Sequence, residues 1–136
     1  MSCFNFWCSV PLAVLLAISP YCCAAEPLPE QTEQLTILEK VALEHQNAGR
    51  TKEAIGAWQQ LADLQSSVYG ETSDQVADSI RRLAHLHQFR EALPSAREAR
   101  EEILERVTKR YGEKHWKTIN ARHELAYVES ASRLSV

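Results

Sequence analysis

The chain has 136 residues, 45% of them hydrophobic and 24% charged, with 15 Lys and Arg against 18 Asp and Glu for a formal net charge of −3. That is the length of one domain, and so even a balance excludes the basic footprint of a nucleic-acid or anionic-membrane binder. Four glycines and five prolines are too few for a β-rich, loop-rich or disordered chain.

Residues 1–25 carry no Asp, Glu, Lys or Arg and hold all four cysteines, Cys3, Cys8, Cys22 and Cys23. The apolar run from Phe4 to Ile18 ends at Pro20, and Cys23-Ala24-Ala25 supplies small residues before Glu26. This is the pattern of a secretory signal peptide, with cleavage expected after Ala25 and Ala24 as the near alternative. An n-region without Lys or Arg departs from the pattern. An uncleaved anchor is strained, because a bilayer takes about 20 apolar residues and Pro11 and Pro20 shorten the run. A lipoprotein would acylate Cys22 or Cys23, but Ser19-Pro20-Tyr21 is a poor processing sequence. Removal of the leader leaves a chain without cysteine, hence without disulfide or thiol nucleophile. The expected location is secreted, periplasmic or cell envelope, with membrane contact only if the leader is retained. Residues 26–31 follow as a linker, since Pro27 and Pro29 disfavour helix.

A repeat domain is expected over residues 32–132. Tyr69-Gly70-Glu71 recurs as Tyr111-Gly112-Glu113, a shift of 42 residues. The same shift carries Val41-Ala42 onto Leu83-Ala84 and then Leu125-Ala126. It also pairs His45 with His87, Gln46 with Gln88, Ala54 with Ala96, Ala57 with Ala99 and Leu61 with Ile103, without insertion.

Each unit predicts two helices. Leu35, Leu38, Val41, Ala42 and His45 follow helical spacing up to a break at Ala48-Gly49-Arg50. Ala54, Ala57, Trp58, Leu61 and Leu64 resume it as far as Val68, and Gly70 stands where a helix C-terminus favours positive φ. Thr72-Ser73-Asp74-Gln75 fits a capping box for the next helix. That helix is expected from Val76 to Gln88, with a break near Phe89-Arg90-Glu91 and a fourth helix from Ala92 to Arg110. Pro94 is tolerated in its first turn. A fifth helix, about Trp116 to Ser132, has no mate. Small residues at Ala42, Ala84 and Ala126, and at Ala54 and Ala96, allow the helices of a hairpin to approach closely. Neither hairpin buries its apolar face alone, so stacking has to provide the core.

Leu38, Val41-Ala42, Ala54, Trp58 and Leu61 resemble the tetratricopeptide repeat, and Ile80, Leu83-Ala84, Ala96 and Ile103 repeat the match. Arg100 stands where the motif has a large aromatic residue. A period of 42 instead of about 34, with Tyr-Gly-Glu and His115-Trp116 at the junctions, resembles the longer form found in kinesin light chains and many bacterial proteins. The resemblance covers Leu35 to Val128. It implies an all-α fold, a right-handed α-solenoid of about 2.5 helix-turn-helix units and five helices.

The resemblance also implies a concave groove lined by the first helix of each hairpin. Its candidates are Thr36, Glu39, Leu43 and Gln46, then Asp78, Arg81, His85, Gln88 and Phe89, then Asn120, His123 and Tyr127. Such a face suits an extended or helical peptide held by side-chain hydrogen bonds and one or two aromatic anchors. The competing reading is a solvated face with no strong ligand. The set lacks the convergent Lys, Arg and Asn of a carboxylate-binding face. The asparagine pair frequent in kinesin light chains is replaced by Glu39-Lys40, Arg81-Arg82 and His123-Glu124.

No metal site or cofactor is expected. His85 and His87 lie about 200° apart on a helix and cannot share an ion, and no zinc-type spacing is present. Nor is an enzyme expected: there is no phosphate loop, nucleophile elbow or thiol. Glu98, Glu101, Glu102 and Glu105 interleave with Arg97, Arg100 and Arg106 as pairs on a solvated helix face. The expected function is that of an exported interaction module binding a peptide or protein partner. Two alternatives stand beside it. One is a structural, homo-oligomeric role through the unpaired last helix; the other is the front module of a larger envelope enzyme.

Overall fold

A computed structural model describes residues 27–134. The leader at 1–25, its cleavage position, its cysteines and Glu26 lie outside the described residues. Every secondary-structure element among the described residues is a helix: α1 Pro29–Asn47, α2 Thr51–Tyr69, α3 Asp74–Phe89, α4 Leu93–Tyr111 and α5 Trp116–Leu134.

The first helix begins inside the segment expected to be a linker. Pro29 occupies its first turn, where a missing N–H costs nothing and a fixed φ assists. Gln31 accepts a hydrogen bond from the Leu28 N–H at 3.0 Å, so the helix entry is closed from within. At the start of α3, the Ser73 hydroxyl accepts from the Val76 N–H at 3.4 Å. The return arm of the expected capping box is missing, because Val76 occupies the third helical position and has no acceptor.

The turns repeat as the sequence does. Arg50 N–H reaches His45 O and Ala92 N–H reaches His87 O, both at 2.9 Å. Gly49 at the first tip has φ of +71°, and the residue at the same register in the second, Glu91, has φ of +57°. A left-handed non-glycine residue carries strain of about 1 kcal/mol, so the second tip is the costlier copy. Gly70 and Gly112, at φ of +87° and +83°, end α2 and α4 and donate to Ser66 O and Thr108 O.

Backbone packing joins only helices consecutive in the chain, α1 with α2, α2 with α3, α3 with α4 and α4 with α5. Ala42, Ala54, Ala84 and Ala96 are fully buried at the two hairpin crossings. The core is in two parts. The first gathers Leu35, Ala42, Trp58, Leu61, Leu83 and Leu86, and the second gathers Ala62, Val76, Ile80, Ile103, Val107 and Ala121. Helix α3 contributes to both, its N-terminal half to the second and its C-terminal half to the first. Thr118, fully buried in α5, donates from Oγ1 to Gly112 O at 2.8 Å and ties the last turn down.

A polar brace spans the junction of α3, α4 and α5. Tyr111 Oη donates to Asp74 Oδ2 at 2.6 Å, and Lys117 Nζ lies 2.8 Å from Asp74 Oδ1. His115 stacks on Tyr111 with ring centroids 4.6 Å apart. Tyr111 of the second Tyr-Gly-Glu thus ties α4 to both α3 and α5. Among the described residues, no helix is long and apolar enough to cross a membrane.

Candidate functional site

Two recesses open beside the C-terminal half of α3. The larger, about 710 Å3, is lined by His85, Gln88 and Phe89 of α3, Arg100 of α4, and His123, Glu124 and Tyr127 of α5. The smaller, about 440 Å3, is lined by Gln46, Gly49, Thr51, Arg82, His85, Leu86 and Phe89. Phe89 and His85 belong to both. Phe89 is 83% exposed and Tyr127 69% exposed, so each presents most of its ring to solvent.

Four of the eight principal groove candidates, His85, Gln88, His123 and Tyr127, therefore line one recess, and Gln46 lines the next. Arg81 lines neither recess and is paired with Asp78 and 3.6 Å from Glu124. Glu39 is exposed and Leu43 packs against the first core cluster; neither lines these recesses. Of the secondary candidates, Asn120 donates to Glu124 Oε1 at 3.0 Å and Thr36 bonds back to Thr32 O.

The floor of the larger recess is a charged group that the sequence placed on a solvated face. Arg100 is only 3% exposed. Its Nη1 donates to Glu124 Oε2, while Nη2 lies 3.4 Å from both Gln88 Oε1 and His85 Nε2. Its Nε is buried without a partner. The correction follows from register, since Arg100 is 42 residues after Trp58, whose Nε1 donates to Gln46 Oε1 at 3.3 Å. The same glutamine register, 46 and 88, thus serves a buried indole in one copy and a buried guanidinium in the next. The neighbouring pairs are as expected, Arg97 with Glu101 at 2.8 Å and Arg106 with Glu102 at 2.7 Å. Glu124 was not among the candidates. The signal that leads to it is the charged residue at an apolar register, which requires an opposite charge nearby.

Folding shifts titrating groups in the recess and outside it. Partial desolvation holds the His85 imidazole below its ordinary value, and Arg100, Arg81 and Arg82 push the same way against Glu124. His87 is lowered too, by desolvation and then by Arg90. For Asp74, burial pushes the carboxyl up, but hydrogen bonds from Lys117 and Tyr111 outweigh it and hold it below the ordinary range. An unfolded histidine takes its proton at about 6.5, and the folded chain resists until lower pH. The unfolded state then binds more protons in that window, so stability falls as pH drops below about 6.5. Asp74 adds a second loss below the ordinary carboxylate range. Urea midpoints measured from neutral to acid pH are expected to show both steps, with His85→Gln flattening the upper one. A midpoint rising on acidification would contradict the assignment.

Among the described residues, no three His, Cys, Asp or Glu side chains converge to hold a metal ion. A scan against protein-family models finds no match, and a search of curated proteins finds no matching relative.

Proposed function

We propose that the chain is an exported tetratricopeptide-repeat module, a right-handed α-solenoid that binds a segment of another protein and catalyses nothing. The observation that carries the binding role is the pair of exposed rings, Phe89 and Tyr127, beside a recess with a fixed polar floor. Exposed aromatic side chains offer large contact area at small entropic cost, which is why they dominate binding energies. The floor, with Arg100 held by Glu124 and Gln88, supplies hydrogen-bond groups already in position before a ligand arrives. The family resemblance supports the same face, since it assigns the groove to first helices, and α3 and α5 are the first helices of their units. The leader pattern in residues 1–25 supports export.

The test is selection of peptides from a random displayed library against the full chain, followed by calorimetry on the enriched sequence. Phe89→Ala and Tyr127→Ala are each expected to weaken binding by about tenfold or more, while Glu105→Ala, on an exposed part of α4, leaves it unchanged. Equal effects of the three variants, or no enrichment, would reject the groove.

A further inference from the structure

Helix α5 presents a face that the two earlier units keep covered. In α1 and α3 the corresponding stripe holds Leu35, Leu38, Ala42 and His45, then Ala77, Ile80, Ala84 and His87, all buried or half-buried, and ends at the exposed Gly49 and Glu91. In α5 the same register holds Ile119, Arg122, Ala126, Glu129 and Arg133. Ile119 is 43% exposed and Ala126, Arg122 and Arg133 are exposed, because α5 packs its backbone only against α4.

We infer that a second copy of this chain covers this stripe, α5 against α5, in antiparallel pairing about a two-fold axis at Ala126. The choice of occupant follows from charge. Arg122 has no ion-pair partner among the described residues. Glu129 is held only at 3.8 Å from Arg97, by one oxygen. The two lie seven residues apart, one on either side of Ala126. Turning a second helix end for end brings its Glu129 beside Arg122, and the symmetry repeats the contact. Parallel pairing sets arginine against arginine and glutamate against glutamate, so the charges select one direction. Ala126 at the axis admits close approach, as Ala42 with Ala54 and Ala84 with Ala96 do within each hairpin. The aliphatic stem of Arg133 of the second copy then lies over Ile119.

A stripe of Arg122, Ala126 and Glu129 is too polar for a partner that needs an apolar groove and too balanced for a strongly charged one. It fits its own inverse. The helix is about 28 Å long at 1.5 Å per residue, so the contact is small and the dimer weak, with a Kd on the order of 10–100 µM.

Sedimentation velocity on the full chain over rising concentration tests this directly. The expected result is a monomer in dilute solution that shifts to a dimer as concentration rises. Ala126→Glu places two carboxylates at the axis and is expected to abolish the shift up to about 500 µM, while its circular dichroism stays that of the parent. Arg122→Glu and Glu129→Arg each turn two attractions into repulsions and are expected to weaken the dimer about tenfold. The double variant, with both charges exchanged, restores it. Phe89→Ala, at the recess, leaves dimerisation unchanged, which separates this inference from the binding role. A monomer at every concentration would overturn it, as would a dimer indifferent to Ala126→Glu or a double variant without rescue.

Discussion

Trp58→Ala is expected to cost about 3–5 kcal/mol, the largest loss available from a single substitution in the core. The indole is 1% exposed, donates to Gln46 Oε1 at 3.3 Å and carries the Arg82 guanidinium 4.8 Å from its ring centroid. Removing it opens a cavity at the centre of the first core cluster, where Leu61, Leu83 and Leu86 are held by helices on different sides and cannot collapse inward. Net stabilities of such domains are about 5–15 kcal/mol, so the variant loses a large share of the total. Urea unfolding followed by far-ultraviolet circular dichroism measures it. Trp58→Phe keeps most of the volume and is expected to lose far less. A Trp58→Ala cost below about 1 kcal/mol would show that the first core cluster is loosely packed.

Glu124→Ala is the second large effect, about 2–3 kcal/mol, and it has a different cause. The substitution removes little apolar contact, but it leaves Arg100 buried without the carboxylate that pairs with it. The converse change behaves otherwise. Arg100→Met fills a register that holds tryptophan in the first unit, and buried ion pairs replaced by apolar groups of similar volume are often neutral or more stable. The double variant Arg100→Met with Glu124→Ala is therefore expected to lie close to Arg100→Met alone. That non-additivity is the signature of one shared interaction. Simple addition of the two costs would mean that the pair does not interact in solution. The contrast also separates stability from function, since a variant that gains stability at Arg100 loses the charged floor of the recess.

Much of this architecture was legible because it is written twice. The 3.6-residue period located all five helices to within a few residues, and Gly70 and Gly112 end α2 and α4 where the shift of 42 puts them. Propensity misled at Pro29, where two prolines argued for an extended linker although a first-turn proline is compatible with helix. It was silent at Glu91, because nothing local announces that a glutamate takes the left-handed position that Gly49 fills in the other copy. Of the candidates counted along the first helices, His85, Gln88, His123 and Tyr127 line one recess, whereas Leu43 packs toward the core.

Arg100 departs from the expected solvated face for a physical reason. Glutamates at three- and four-residue spacings around an arginine are the usual mark of a wet helix face, and Arg97 and Arg106 obey it. Arg100 sits on the same helix but on the stripe that faces α5, and only its tertiary neighbour Glu124 makes that position tenable. Local spacing cannot distinguish the two; the repeat register can. A charged side chain that replaces a large apolar one between otherwise matching copies marks either a lost contact or a new polar site, and here it is the floor of the recess.

The restriction of backbone packing to consecutive helices also governs how the chain finds its structure. No helix waits for a distant segment to arrive before it can dock; each meets its first neighbour across a turn of three or four residues. Loop closure of that length is cheap, and the search is short. Assembly can begin at either hairpin and spread by one joint at a time. Loosening then starts at α1 and α5, each held along one side, while α2 and α3, which contribute to both halves of the core, give way last.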